Sequence, residues 1–386
     1  MSGVKVTRKA ESRIESGHPW IFSSDVAERG QAQPGDAVRV LNLRGQCLGV
    51  AHYSSTSQIV LRMLSRKDQP IDRAFYLARL QAALKHRQHV VRESDSYRLV
   101  HAEGDLLPGL IVDRYGDYLS VQLLDQGMDA ASEVLASCLE EVVQPKGILA
   151  RNDVPVRKLE SLPLVPKVLS GELPERVPVK MNGLSLQADL LHGQKTGVYL
   201  DQRENYVAAA HWARGRALDC FTSTGGFALH MAPSCESVEG IDSSAEALKT
   251  ATANRDANGI KNVTFREANA FDYLAGLAAA RRQFDTVVLD PPAFAKSKTN
   301  MDAALRGYKE INFKALKLLQ PGGVLVTCSC SHHVNEGTLL QLVAEAALDA
   351  GKTLRVLERR AQAQDHPILL TVPETLYLKC LIFEVL

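Results

Sequence analysis

From about His192 onward, the chain alternates short apolar segments with segments of helical periodicity. Such alternation predicts a parallel sheet with helices packed on both faces. Sheets of this kind bind ligands at the carboxyl ends of their strands, so polar residues that follow a strand are candidate site residues. The strand candidates are GRALDCF, SVEGID, VTFREA, FDTVVLD, GVLVTCSC and LYLKCLIFEVL, and the clearest helices are SAEALKTATANRDANG and YKEINFKALKLL.

Polar residues follow three successive strand candidates of this region. Asp219 ends the first and opens a small-residue loop, in which glycines would let the backbone approach a ligand closely. Asp242 ends the second, where an acid can accept both hydroxyls of a ribose, and Asn269 follows the third, where it can meet an adenine edge. Each alone is an ordinary turn residue, but together they predict a nucleoside pocket. The loop lacks the GxGxxG pattern of a dinucleotide site.

The fourth and fifth strand candidates end in residues suited to chemistry. Asp290 is followed by two prolines, which give a rigid wall with the carboxylate aimed into the cleft. The fifth ends in TCSCSHH, whose cysteines Cys328 and Cys330 have four interpretations: buried structural thiols, metal ligands, a redox pair or a nucleophile. Adjacent ligands on one short segment would be cramped, so we predict no metal. Cys-x-Cys is not the usual redox spacing, which leaves the nucleophile.

A nucleophilic cysteine beside such a pocket indicates a particular reaction. Carbon 5 of a pyrimidine is a poor nucleophile, but a thiolate that adds to carbon 6 makes the ring an enamine or enolate that can attack a methyl sulfonium. Exocyclic amines need no such help, so we predict methylation at carbon 5. Cys330 is the favoured nucleophile, because Cys328 lies deeper in the strand, closer to the apolar residues Val324 and Val326.

The residues before the alternating region predict two smaller modules. The first seventy residues contain short strands and predict a β-rich module, and apolar spacing between Ile71 and Arg92 predicts a connecting helix. An α+β unit follows, with a proline-bearing loop near residues 162–178 and then a hairpin that turns at Asn182-Gly183. The predicted domains are therefore residues 1–70, 71–190 and 191–386.

Charge and composition indicate the cellular location and the possible partners of this protein. The net charge is +1, yet residues 1–70 carry ten Lys/Arg against six Asp/Glu, and residues 71–98 carry six against three. Such a stretch is either a solvated face, which we favour, or a footprint for RNA phosphates. The charged N-terminus lacks a secretory signal and no apolar run could cross a membrane, so we expect a cytoplasmic protein. The seven scattered cysteines argue against disulfides.

Several motifs together resemble one family along essentially the whole chain. The chain resembles the RlmI-like family of bacterial 23S rRNA cytosine-5 methyltransferases, in which the first module is a PUA domain. The motifs that carry the resemblance are His18–Phe22, Glu103–Asp105 with Leu107–Tyr115, Lys195–Arg203, Asp290–Lys296 and the Cys-Ser-Cys-Ser segment.

The resemblance implies an α/β, class I methyltransferase fold with a mostly parallel seven-stranded sheet, preceded by a PUA-like domain and a small α+β domain. It implies S-adenosylmethionine as cofactor, cytosine in 23S rRNA as target, and Cys330 and Asp290 as catalytic residues. The cofactor-binding candidates are Lys195, Thr196, Tyr199, Asp201, Arg203, Asp219, Phe221, Thr222, Thr224, Gly225, Asp242, Ser243, Asn269, Ala270, Asp290 and Pro291.

The chain departs from the family pattern at a few positions. Family members often have Tyr at Ser223 and Asp at Asn269, although an amide can still accept from the adenine amino group. They often lack a cysteine at Cys328, which again favours Cys330. Pro292 makes the chain similar to uracil-5 enzymes. A uracil-5 RNA methyltransferase and a catalytically inactive RNA-binding ribosome-assembly protein stay open as alternatives, as does a homodimer.

Overall fold

The computed structural model describes residues 1–191, 198–294 and 301–386. These residues form two compact units. Unit 1 comprises Met1–Val177 and Gln364–Thr375, and unit 2 comprises Pro178–Ala363 and Leu376–Leu386. The boundaries near residues 70 and 190 stay a prediction. None of the helices in these ranges is long and apolar enough to cross a membrane.

The N-terminal part of unit 1 is a six-stranded sheet with the strand order β2-β6-β5-β4-β1-β3. Its core consists of alternating apolar residues such as Val38 and Val40, which are fully buried together with Ile21 and Leu61. The elements are β1 (Gly3–Val6), α1 (Arg8–Glu15), β2 (Trp20–Phe22), β3 (Val26–Glu28), β4 (Ala37–Leu41), β5 (Cys47–Tyr53) and β6 (Ile59–Ser65).

A five-stranded sheet of order β11-β10-β9-β8-β7 follows in unit 1. The prediction of a loop over residues 162–178 was wrong in part, because β11 lies within it. This strand pairs with only one neighbour, and Val168 on it is exposed, so it lacks the apolar pattern of a buried strand. The elements are α2 (Arg73–Val90), β7 (Ser96–His101), β8 (Leu110–Tyr115), β9 (Tyr118–Leu123), α3 (Gln126–Ala130), α4 (Ser132–Val143), β10 (Gly147–Ala150) and β11 (Lys167–Gly171).

Buried charges connect the two sheets of unit 1. Arg62 on β6 lies 2.8 Å from the Glu160 carboxylate and 3.6 Å from that of Asp125, and both carboxylates are almost fully buried. The side chain of Gln126 donates to the backbone oxygen of Glu160 and accepts from the amide of Ser55. Removing residues 1–70 would leave both acids buried without their cation, which is strongly destabilising.

Several basic residues of the stretch 71–98 form ion pairs within unit 1. Arg87 is buried and pairs with Asp105, and the Arg98 guanidinium forms two bonds with Asp113. Arg73 at the start of α2 pairs with Glu141. The favoured interpretation, a solvated face, is therefore wrong for Arg87, which is buried and has a structural role.

Unit 2 contains a seven-stranded sheet of order β16-β15-β14-β17-β18-β20-β19, in which only the pairs made by β20 are antiparallel. The elements are β12 (Val177–Met181), β13 (Leu184–Ala188), α5 (Arg203–Trp212), β14 (Arg216–Cys220), α6 (Gly226–Met231), β15 (Ser237–Asp242), α7 (Ala245–Ala257), β16 (Val263–Glu267), α8 (Ala270–Ala279), β17 (Phe284–Leu289), α9 (Met301–Leu316), β18 (Leu319–Ser329), α10 (Glu336–Asp349), β19 (Leu354–Arg360) and β20 (Lys379–Val385). This order is that of the expected class I methyltransferase sheet.

The strand order determines where unit 2 can bind a ligand. The chain runs outward from β14 to β15 and β16, and then returns to place β17 on the other side of β14. The carboxyl ends of β14 and β17 therefore border the switch point, where open α/β sheets bind their ligands. The predicted hairpin is confirmed, since β12 and β13 turn at Asn182 and Gly183 with φ of 49° and 82°.

Candidate functional site

Asp219 is the next-to-last residue of the strand β14, whose carboxyl end borders the switch point. Its side chain is fully buried, and Oδ2 accepts hydrogen bonds from the Thr222 hydroxyl (2.6 Å) and the Ala228 amide (3.0 Å). Oδ1 is buried and has no hydrogen-bond partner among the described residues. Burial raises the pKa of Asp219 to about 7. A buried carboxylate oxygen without a donor has the chemistry needed to accept from an ammonium group.

The loop after β14 has unusual backbone geometry. Phe221 and Ser223 have φ of 66° and 49°, in the left-handed region that non-glycine residues seldom adopt. Gly225, with φ of 92°, begins α6. A Cβ on Gly226 would lie 2.5 Å from the Tyr206 ring, so packing against α5, and not only access for a ligand, requires glycine here.

Asp242, at the end of β15, is bonded to this loop. Its Oδ2 accepts from the Ser223 amide and its Oδ1 from the Ser244 amide, both at 2.9 Å. A carboxylate can accept about four hydrogen bonds, so both oxygens keep the capacity to bind ribose hydroxyls. Asp242 is half-buried, and the neighbouring Ser243 is exposed.

Asn269, after β16, is the N-cap of α8. Its Oδ1 accepts from the amides of Phe271 (2.9 Å) and Asp272 (3.3 Å). Our expectation that this oxygen accepts from an adenine amino group therefore needs correction, because capping uses both of its lone pairs. The amide NH₂ is the group that Asn269 can offer, and it suits an acceptor such as a ring nitrogen. Ala270 is buried in the first turn of α8.

Tyr206 on α5 is a buried tyrosine that interacts electrostatically with several of the remaining predicted residues. Burial raises its pKa, and the negative charges of Asp290 and Asp201 add to that effect. The segment before α5 and the end of β17 therefore both lie close to this ring. Asp290 is half-buried, and Pro291 after it is buried.

The segment before α5 holds the other predicted residues at this side of the sheet. Asp201 accepts a hydrogen bond from the Tyr377 hydroxyl at 2.8 Å, and Arg203 is almost fully buried and pairs with Glu204. Tyr199 also contributes to the raised pKa of Tyr206. Lys195, Thr196 and Lys296 lie outside the described residues.

The two cysteines at the end of β18 differ in exposure. Cys328 is fully buried, faces Cys380 on β20, and has a pKa that burial raises well above its usual range. Cys330, directly after β18, is partly exposed. Of the two thiols, only that of Cys330 is open to a substrate.

Tyr308 on α9 fixes the chain around Cys330. Its hydroxyl lies 2.9 Å from the hydroxyls of both Ser329 and Ser331, and all three side chains are buried. Residues on either side of Cys330 thus point to the same buried tyrosine. Because successive side chains in extended chain alternate, Cys330 projects away from it.

The sequence did not reveal Tyr308, Tyr377 or Lys379 as part of this region. Lys379 was the most detectable, since it is a lysine within the otherwise apolar final strand LYLKCLIFEVL, and lysine is seldom buried without a reason. Within residues 1–191, 198–294 and 301–386, no group of three or more His, Cys, Asp or Glu could hold a metal ion. His332 lies beside Tyr377, with ring centroids 5.9 Å apart.

Comparison with known proteins identifies the family. Residues 4–66 match a family model described as a PUA-like domain, and residues 213–365 match one described as a methyltransferase domain. The ribosomal RNA large subunit methyltransferase I of Shewanella amazonensis is 41% identical over 391 residues, covering 99% of this chain and 99% of that protein. The chain belongs to the ribosomal RNA large subunit methyltransferase I family. The protein of the same name from Yersinia pestis is 39% identical and covers 94% of each chain.

Solved structures agree with this family on the fold. A methyltransferase crystallised in complex with SAH covers 100% of both chains with a TM-score of 0.86 at 19% identity. A SAM-dependent methyltransferase from Streptococcus mutans gives 0.84, also at 19% identity and full coverage. The predicted fold, a PUA-like domain ahead of a class I methyltransferase sheet, is confirmed for this member of the ribosomal RNA large subunit methyltransferase I family.

Proposed function

We propose that the chain transfers a methyl group from S-adenosylmethionine to carbon 5 of a cytosine in 23S rRNA. The observation that carries this proposal is the partly exposed thiol of Cys330 at the carboxyl end of β18, beside the strand that ends in Asp290. A methyltransferase that acts on an exocyclic amine or a ribose hydroxyl needs no nucleophilic thiol there. Relatives that span the whole chain carry the name of rRNA methyltransferases.

The residues around the end of β14 fit the cofactor. Asp219 offers a buried carboxylate oxygen to the amino group of S-adenosylmethionine, and Asp242 offers acceptor sites to the ribose. The NH₂ of Asn269 would donate to an adenine ring nitrogen, because its Oδ1 is used in capping α8. When bound, the cofactor supplies the methyl group as an electrophilic sulfonium.

Cys330 is the nucleophile in this proposal. Its thiolate adds to carbon 6 of the cytosine, and the electron pair of the 5,6 double bond becomes available at carbon 5, which would take up the methyl group as the bond from that group to the sulfonium sulfur breaks. A base then takes the carbon-5 proton, and the electron pair of that bond re-forms the 5,6 double bond. The bond between carbon 6 and the Cys330 sulfur breaks at the same time, which restores the aromatic ring and the thiolate. In this proposal Asp290, directly after the neighbouring strand β17, binds the polar edge of the base.

The product distinguishes this function from the alternatives. In a strain without the gene, mass spectrometry of 23S rRNA nucleosides should show the loss of 5-methylcytidine at one position, restored by the wild-type gene. Loss of 5-methyluridine instead would indicate a uracil-5 enzyme. Unchanged modification together with delayed ribosome assembly would indicate an RNA-binding assembly protein.

RNA binding by the PUA-like domain predicts a specific effect of surface charge. Arg66 and Lys67 are exposed directly after β6. Replacing both with glutamate should weaken RNA binding about tenfold or more and reduce its salt dependence, because phosphate contacts release counterions. Filter binding at several salt concentrations measures this. Point variants are preferable to deletion, which would expose the buried charges around Arg62.

Cofactor affinity is the control for the Arg66 and Lys67 variant. Isothermal titration with S-adenosylmethionine should give the wild-type dissociation constant. If RNA affinity and its salt dependence are unchanged, the PUA-like domain does not contact phosphate through this surface.

A further inference from the structure

Lys379 is a buried cation at the end of the β18–β20 pair. It is the first residue of β20, lies opposite Ser329 in the antiparallel register, and is 6% exposed. Its Nζ donates to the backbone oxygen of Ser331 at 2.7 Å and to that of Tyr377 at 2.9 Å. The ammonium group is therefore bonded to the peptide segment that directly follows Cys330.

No carboxylate forms an ion pair with this ammonium among the residues that the structure describes. Two of its three hydrogens go to neutral carbonyls, which do not offset the cost of burying a full charge. Burial lowers the pKa of Lys379 to about 8, and the charge of Cys330 acts in the opposite direction. A thiolate at Cys330 would thus supply the missing counter-charge.

Other ionisable groups near the same strand end also affect the charge states of Lys379 and Cys330. The charge of Asp290 raises the pKa of Cys328, and it would likewise oppose a thiolate at Cys330. Tyr308 is neutral, because burial raises its pKa. Other ionisable groups near this strand end are Cys328 and His332 beside Cys330, Tyr377 and Cys380 beside Lys379, and Asp201 before α5. Arg360 on β19 lies opposite Cys380 but pairs with Glu358, whereas Lys379 has no carboxylate partner among the described residues.

We infer that Lys379 is the residue that holds Cys330 as a thiolate, through its buried positive charge and its bond to the Ser331 carbonyl. This inference deepens the proposed function and rests on it for its catalytic consequence. Lys379 acts through Cys330 and is therefore a positioning residue. Its effect on the thiol can be measured without RNA or cofactor.

Alkylation of Cys330 by iodoacetamide tests the inference in the full-length protein. Peptide mass spectrometry gives the rate at Cys330 as a function of pH. In Lys379→Gln, the side chain keeps an uncharged NH₂ donor but loses the positive charge, so the pH midpoint should rise by about one unit and the rate at pH 7 should fall about tenfold. Lys379→Arg should restore most of the wild-type profile. Lys249→Gln, at an exposed position on α7, should have no effect.

A reciprocal measurement covers the case in which Lys379→Gln does not fold. Cys330→Ala removes the negative partner, so the titration midpoint of ¹³C-labelled Lys379 in NMR spectra should fall relative to the wild type. An unchanged Lys379 midpoint, or identical alkylation profiles for wild type and Lys379→Gln, would overturn the inference. If the thiol responds to Lys379 but Cys330→Ala still methylates RNA, the pairing stands and the proposed function fails. If Cys330→Ala is inactive and the profiles coincide, only the inference fails.

Discussion

Cys330→Ala should lower methyl transfer to RNA below about one-thousandth of the wild-type rate, because Cys328, the other thiol of the Cys-x-Cys segment, is buried and cannot replace it. Cofactor affinity should not change, since Cys330 is not among the residues that we assign to the cofactor. Single-turnover transfer of a labelled methyl group to the RNA substrate measures the first quantity, and isothermal titration measures the second.

Cys328→Ala is the matched control for this variant. Cys328 is fully buried between strands and opposite Cys380, so its loss should preserve turnover and lower the free energy of unfolding by about 1–2 kcal/mol. Substrate RNA that contains 5-fluorocytosine should trap the covalent adduct, because carbon 5 can no longer release a proton. Peptide mapping should locate the adduct at Cys330. Attachment at Cys328, or turnover in Cys330→Ala, would show that the assignment is wrong.

The choice between these cysteines shows how far the sequence was informative. Their spacing placed both on the same strand end, and the position along the strand favoured Cys330. What decides their exposure is the packing of Cys328 against Cys380, which lies 52 residues further along the chain. Contacts between distant segments of this kind are not readable from local pattern, and for the same reason Tyr308 and Lys379 went unrecognised.

The strand ends of unit 2 were predictable because apolar strand segments alternate regularly with helical segments in this part of the sequence. Asp219 and Asp242 lie at the ends of β14 and β15, and Asn269 and Asp290 come after β16 and β17, as the apolar segments indicated. The orientation of each side chain was not predictable. Asn269 was expected to accept from a ligand, but it caps its own helix, since Ser, Asp and Asn at such positions compete for the first free amides. The edge strand β11 was missed because a strand with one neighbour needs few apolar residues.

Asp219→Asn should have opposite effects on cofactor binding and on stability. All the hydrogen bonds to this side chain go to Oδ2, so the asparagine oxygen can accept them while its NH₂ occupies the position of the unpartnered Oδ1. The variant keeps the local structure but has no negative charge for the amino group of the cofactor. Affinity for S-adenosylmethionine should fall about 100-fold at pH 7.5, the loss of one buried, charge-assisted hydrogen bond. Isothermal titration measures it.

The pH dependence of the wild-type protein provides a second measurement at the same residue. The pKa of Asp219 is raised to about 7 in the folded protein, so the carboxyl group takes up a proton as the pH falls from 7.5 to 6. Wild-type affinity for the cofactor should therefore fall several-fold over this interval, whereas that of Asp219→Asn should stay nearly constant. Asp285→Asn, the same substitution at the amino end of β17, should behave as the wild type, because the Asp285 side chain accepts from the amide of Arg216 at the start of β14, at the opposite end of that strand from Asp219.

The stability of Asp219→Asn should increase relative to the wild type, although its cofactor affinity falls. A carboxyl group whose pKa is higher in the folded than in the unfolded state stabilises the fold below about pH 4, and this contribution is lost as the pH rises through 7. The shift corresponds to about 4 kcal/mol, which the ionised side chain costs at pH 8 and which asparagine avoids. Asp219→Asn should therefore have a higher melting temperature than the wild type at pH 8, and this advantage should shrink as the pH falls below 7. Greater stability with unchanged cofactor affinity would show that Asp219 is buried for a reason other than binding the amino group of S-adenosylmethionine.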